Sequence, residues 1–285
     1  MVNNKYYPNF VQSIFIFILH VVLISSVSFF ISFIYAVYLG IIGITDPDLI
    51  QSIIDSFVNS NIIYFSTIGV LISAIILTKF TLNKRKQKYK DFITNNFKKI
   101  NFEIIFITLI TAVSLSIIIL NINSLIISPD YENPILETAF KGNVLGIIFA
   151  LLIAPIFEEV IFRGIILGGL KKNYSIIAAL MISALLFSIS HFTLVQLVPT
   201  FIAGLYFGYI YYKSDSLILS MFAHFSYNLL PIIIVQFQEI GDRIINKTLY
   251  RFMILFVSIL ILAFGINFLR KKLNFNRLQI TNTSG

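Results

Sequence analysis

Six polar residues in the second half of the chain have the types and spacing to do chemistry together. Glu158, Glu159 and Arg163 lie in one apolar stretch, His191 ends the next, and His224 and Asn228 fall in a third. An ionisable group inside a membrane-spanning stretch costs about 2.5 to 3.5 kcal/mol to insert, so a cluster of them asks for a function. On a helix, Glu159 and Arg163 are four residues apart and share a face, whereas Glu158 points about 100° away. Glu158 is therefore the freer carboxylate, free to take a proton from water as a general base. Phe187 with His191, and His224 with Asn228, repeat the four-residue step, so each helix turns a paired face to a common interior. A neutral imidazole can orient a water, and an imidazole or imidazolium and a carboxamide can donate to a developing oxyanion. Together these are the parts of a peptide hydrolase. Taken singly, each residue also has a plain role: Glu159–Arg163 as an ion pair between helices, His191 as an interfacial residue, Asn228 as interhelical glue.

The elements that must position these residues are read from apolar runs. The chain of 285 residues is 58% hydrophobic and 12% charged, against roughly 25% charged for a soluble globular chain. Its mean hydropathy is +0.90. A hydrocarbon core of about 30 Å needs about 20 apolar residues in a helix. Eight runs come near that length: Phe10 to Leu39, Asn61 to Leu77, Phe102 to Ile127, Asn143 to Leu170, Ser175 to Phe192, Leu194 to Tyr212, Ser216 to Phe237 and Leu249 to Leu269. The expected fold is all-α, a polytopic membrane helix bundle of about eight transmembrane helices. The first run is longer than the apolar core of a signal peptide and reads as a retained span. Three units are expected: residues 1–142 with the N-terminal spans and a basic loop, a catalytic core at 143–237, and residues 238–285 with the last span and a basic tail. With no cysteine, disulfides, thiolate metal sites and a cysteine nucleophile are excluded.

Basic residues set the orientation. With the Lys79 to Lys99 loop inside, 16 lysines and arginines fall on the inner side and four, Lys141, Arg243, Lys247 and Arg251, on the outer. Both termini are then cytoplasmic in a multi-pass protein of the cell membrane. Asp46, Asp48, Asp55, Asp130, Glu132 and Glu137 fall in outer loops. The basic loop carries Tyr89, Phe92, Ile93, Phe97 and Ile100 at three- and four-residue steps, the pattern of a helix lying on an anionic lipid surface, with a plain solvated topogenic loop as the alternative. Basic residues placed between apolar runs point to membrane lipid as a partner, not nucleic acid. His20 reads as a packing or weak interhelical residue. Gly204 and Gly208 read as a small-residue helix contact. Tyr206, Tyr209, Tyr211 and Tyr212 read as an interfacial belt.

The segments Glu158-Glu159-Val160-Ile161-Phe162-Arg163-Gly164, Phe187 through His191, and His224 through Asn228 together resemble the intramembrane glutamic endopeptidases. That family, often abbreviated CPBP, includes the type II CAAX prenyl proteases and the bacteriocin-processing or immunity-associated Abi proteins. All three motifs stand in order between about Asn143 and Leu230. The resemblance implies that Glu158 is the base activating water, that His191 helps to hold that water, and that His224 and Asn228 stabilise the oxyanion. Glu159 and Arg163 match the motif's second glutamate and arginine, which support the base. It further implies a hydrolase acting by intramembrane proteolysis without metal or other cofactor. The substrate would be a peptide or protein, either lipidated or a bacteriocin or signalling precursor.

Three other functions use the same residues. Two glutamates and two histidines could ligate zinc with an open water position. A non-catalytic immunity or scaffold protein would need the fold but not the base. A proton-relay transporter would need paired half-helix interruptions that the sequence lacks. Depth also matters: counted from the inner side, His191 comes about 25 Å along its run and His224 about 12 Å along its own, so meeting at one depth requires tilt, a late start to the fifth run, or a cavity that reaches toward the outer leaflet. The orientation has a direct check, since the native chain holds no cysteine. A cysteine at Asn83 should stay unlabelled by an impermeant thiol reagent on intact cells and react after permeabilisation. Labelling on intact cells inverts the topology.

Overall fold

The structure, a computed structural model, describes residues 6–96, 100–126, 143–237 and 248–282. Among them are nine helices: α1 Phe10–Ile41, α2 Pro47–Arg85, α3 Tyr89–Asn96, α4 Phe102–Ile126, α5 Val144–Asn173, α6 Ile176–Ile189, α7 Leu194–Ser214, α8 Leu217–Gln236 and α9 Thr248–Asn282. Seven are long and apolar enough to cross a membrane. The chain is a polytopic helical membrane bundle. Lys5, Phe97, Lys98, Lys99, Asp130, Glu132, Glu137, Lys141, Arg243 and Lys247 lie outside the described residues.

Polar residues stop and start these helices where the apolar runs end. Asn9 and Gln12 form a reciprocal capping box at the start of α1, and Asp46 caps α2 just before Pro47, each satisfying amides that a helix start leaves bare. Ser175 and Ser216 cap α6 and α8. α2 runs well past its apolar portion at both ends, so Lys79 to Arg85 belong to its last turns and not to a loop. The fifth apolar run departs most from a full span. α6 has 14 residues, about 21 Å of helix. The chain turns at His191 and Phe192, the latter at φ 55°, before α7 begins.

α3 is not simply laid on a surface. Phe92 and Asn96 are buried, while Tyr89 and Ile93 face outward. Asn96 Oδ1 accepts a 2.6 Å hydrogen bond from Tyr211, and Phe92 packs so near Gly164 that a Cβ there would sit 3.1 Å from its ring. The tyrosine belt divides for the same reason. Tyr206 and Tyr211 share the inward face of α7 with Ala203, Phe207 and Ile210, and Tyr206 meets Thr111 of α4 at 2.6 Å. Tyr209 and Tyr212 remain partly exposed beside Lys213. The small residues of α7 act as expected: a Cβ at Gly204 would lie 3.2 Å from the Ala184 backbone of α6, and one at Gly208 would lie 2.9 Å from Leu180. His20 bonds Ser73 of α2 at 2.6 Å, an interhelical bond as read.

Contacts between distant segments sort the helix ends. Arg85 donates to Tyr7 O at 2.8 Å, Asn173 donates to Tyr6 O and Pro8 O, Lys171 bridges Asp215 at 2.8 Å, and Lys272 meets Glu103 at 3.1 Å. One end of the bundle thus gathers Arg85, Lys171 and Lys272. Arg251, bonded to Asn121 at 2.9 Å, marks the other end. Below α5 the segment before α1 forms a strap, with Pro8 filling the space over Gly169, where a Cβ would meet it at 2.2 Å.

Arg85 also reaches α5 itself, donating to Ile165 O at 2.8 Å and Gly164 O at 3.4 Å. One guanidinium fork therefore holds the strap and α5 together. Arg85→Ala should lower stability by about 1.5 to 3 kcal/mol, the range for a hydrogen-bonded charge. Arg85→Lys should recover only part, since an ammonium has no fork. Thermal unfolding in detergent reads this, and a parental midpoint for the alanine variant would remove Arg85 from the account.

Candidate active site

α5 carries the acidic motif, and it is not a uniform helix. Phe149–Ile153 and Val160–Leu167 are π-helical and flank the α-helical Ala154–Glu159. π-turns recur at functional sites, and here the first has a local cause. In a π ladder each amide bonds the carbonyl five residues back, as Ala154 does to Phe149. The next residue is Pro155, which has no amide hydrogen to offer Ala150 O. Asn228 of α8 supplies the missing donor, its Nδ2 lying 2.9 Å from Ala150 O. Side chains from other helices likewise serve carbonyls of the second π stretch: Ser183 donates to Phe162 O at 2.9 Å, beside the Arg85 contacts at Gly164 and Ile165.

At the centre of the bundle Glu159 is fully committed. Its Oε1 accepts from Arg163 Nη1 at 2.9 Å and from His224 Nδ1 at 3.0 Å, and its Oε2 accepts from the Ser220 hydroxyl at 2.5 Å. Both members of the Glu159–Arg163 pair are wholly buried, as their four-residue spacing predicts. The guanidinium stacks over Phe187 and Phe207, at 4.4 and 5.4 Å to the ring centres, and Nη2 donates to Gly204 O at 3.0 Å. Ring faces and a backbone carbonyl thus replace part of the hydration that Arg163 loses.

Glu158 is the open carboxylate. Its side chain keeps 18% of its surface exposed, and Oε2 faces His224 Nε2 at 3.9 Å. That is too long for a direct hydrogen bond and suited to a water touching both groups. His224 lies between the two glutamates, its ring stacked on Phe207 at 4.5 Å. A carboxylate only accepts, so Nδ1 carries the hydrogen toward Glu159 and Nε2 is the atom presented to Glu158.

His191 reaches the same cluster through Phe187. Its ring lies 4.9 Å from the Phe187 ring and that of His224 5.6 Å from it, so the short α6 brings both imidazoles to one phenyl group and relieves the difference in depth read from the sequence. His191 Nδ1 lies 3.0 Å from Phe187 O and must donate there, which leaves Nε2 as an acceptor. Asn228 spends one amide hydrogen on Ala150 and keeps a second. Ser220 and Phe207 were not singled out from the sequence, and Gly204 was read only as a helix contact. Ser220 was within reach, since Ser220, His224 and Asn228 follow one another at four-residue steps on α8. Among the described residues no three His, Asp or Glu side chains converge as a metal-binding group.

Residues 140–230 match the profile of the family described as "Type II CAAX prenyl endopeptidase Rce1-like". Among curated proteins, the "Putative membrane peptidase YdiL" of Bacillus subtilis (strain 168) is 32% identical over 98 residues, which make up 34% of this chain and 40% of that protein. The chain therefore matches under half the length of that relative. No solved structure matches it.

The geometry sets Glu159, held by three donors, apart from Glu158. Glu159→Gln leaves Arg163 buried without its counter-charge, and loss of one partner of a buried pair costs about 3 to 5 kcal/mol. The variant should be recovered as little or no monodisperse protein on gel filtration in detergent. Replacing both partners, with Glu159→Gln and Arg163→Leu, should restore part of the yield. Full recovery of Glu159→Gln alone would show that the pair does not hold the fold.

Proposed function

We propose, from the match of residues 140–230 to the type II CAAX prenyl endopeptidase Rce1-like family and the partial likeness to a membrane peptidase, that this multi-pass membrane protein is an intramembrane endopeptidase hydrolysing a peptide or protein with a water activated by Glu158. One observation carries the reading: of the two adjacent glutamates, Glu159 has both oxygens engaged by three donors, while among the described residues Glu158 faces His224 Nε2 alone, at 3.9 Å.

In the proposed reaction the water sits between Glu158 and His224, and His191 Nε2 accepts its second hydrogen. Glu158 takes a proton as the water oxygen bonds to the scissile carbonyl carbon. The carbonyl oxygen becomes an oxyanion and accepts from the second amide hydrogen of Asn228 and from His224 as an imidazolium, with Glu159 as counter-ion. The C–N bond then breaks, and Glu158 returns the proton to the leaving nitrogen. Glu159, Arg163 and Ser220 hold His224 in register and do not touch substrate. The substrate we infer is a lipidated segment or a bacteriocin or signalling precursor, presented at a membrane whose cytoplasmic side faces the basic end of the bundle.

The mechanism separates Glu158 from its neighbours. Glu158→Gln should leave the protein folded and inserted and abolish cleavage. In membrane peptide profiles from cells carrying the parent or Glu158→Gln, at least one peptide should depend on Glu158. Identical profiles favour a non-catalytic role. For a substrate so identified, His224→Ala and Asn228→Ala should each lower turnover by about 10² to 10³, as for single oxyanion donors elsewhere. Purified protein should remain active in strong chelator. Activity lost to chelator and restored by zinc would overturn the carboxylate mechanism in favour of zinc held by the same residues.

A further inference from the structure

Outside residues 140–230, α4 and α9 enclose an elongated groove of about 640 Å³. Ile107 and Ile110 line it from α4, and Val257, Leu260 and Phe264 line it from α9, with Phe264 left 72% exposed. The two helices touch at its floor, where a Cβ on Gly265 would lie 2.0 Å from Thr111 Cγ2. Polarity enters at one end, where Asn267 and Lys271 complete the lining. Both are exposed. The neighbouring Lys272 is engaged with Glu103 at 3.1 Å, so Lys271 is the lysine turned to the groove.

Length and charge identify the occupant. From Val257 to Lys271 is about 21 Å of helix, against about 15 Å for one leaflet of the hydrocarbon core. A transmembrane helix from a partner would need a face running through both leaflets. An acyl chain needs one, with an anionic headgroup at the basic end. We propose that this groove binds one anionic phospholipid, an acyl chain lying along Val257, Leu260 and Phe264 and the phosphate at Lys271 and Asn267. The site is independent of the peptidase reading.

The absence of tryptophan from the chain gives a clean test. Full-length protein carrying Phe264→Trp is reconstituted in phosphatidylcholine vesicles with increasing phosphatidylglycerol, one lipid at a time bearing dibrominated acyl chains. Brominated phosphatidylglycerol should compete for the site with roughly fivefold preference over brominated phosphatidylcholine, the size expected for one basic residue at an anionic surface. Adding Lys271→Gln should bring the two lipids to equal quenching. Leu260→Trp should report the same preference should Phe264→Trp fail to fold. Phe256→Trp, which is exposed on α9 but does not line the groove, should report none. Equal quenching in the Lys271 protein, a preference that survives Lys271→Gln, or no quenching by either lipid, as when a protein segment covers the groove, would each overturn the site.

Discussion

A guanidinium with no exposed surface inside a membrane bundle is the constraint to which the rest of the molecule answers. Arg163 can stay there only with a carboxylate at contact distance and polarisable surfaces around it. Glu159 supplies the first from the same helix, and Phe187, Phe207 and Gly204 O supply the second from α6 and α7. Glu159 in turn draws in Ser220 and His224 of α8. The arginine therefore fixes where three other helices stand relative to α5. Glu158, one residue from this network and not absorbed by it, is left as the group with chemistry to spare.

Backbone carbonyls are the second organising element. A π stretch shifts the amide ladder by a residue, and a proline beside it leaves a carbonyl that must be served from elsewhere. α5 has such carbonyls above and below its glutamates. Donors from α2, α6 and α8 converge on them, so the irregular part of the acidic helix is also where its neighbours are fastened. Asn228 bonds Ala150 O with one amide hydrogen and keeps the other.

Much of this was legible in the sequence because membranes simplify the reading. Apolar runs located the spanning part of each long helix but not the polar turns by which α2 and α9 outrun theirs, and the four-residue steps paired Glu159 with Arg163 and set Glu158 apart. The positions that escaped were those whose role comes from tertiary neighbours. Arg85 looks like one more topogenic charge until α5 presents bare carbonyls to it, and Tyr206 and Tyr211 look interfacial until α4 and α3 bring Thr111 and Asn96 to their hydroxyls. Composition likewise could not distinguish the 14-residue α6 from a complete span, because its apolar run continues through the turn at Phe192 into α7. Ser220 differs from these: its spacing from His224 was visible, but serine is too common in apolar helices for spacing alone to mark it.

The strap beneath α5 has a consequence in time. Its bonds join residues far apart along the chain: the Phe10 amide donates to Tyr174 and Asn173 donates to Tyr6, pairs separated by 164 and 167 residues. During synthesis α1 and α2 leave the ribosome long before their partners on α5 exist. Contacts of such separation close only after the intervening chain has been made. The first helix pair must therefore wait in the bilayer with Arg85 held by lipid headgroups or water, and it locks only when the acidic helix arrives. The order of translation thus makes closure of the strap one of the later steps of assembly, and Glu158 reaches its finished surroundings only near the end of biogenesis.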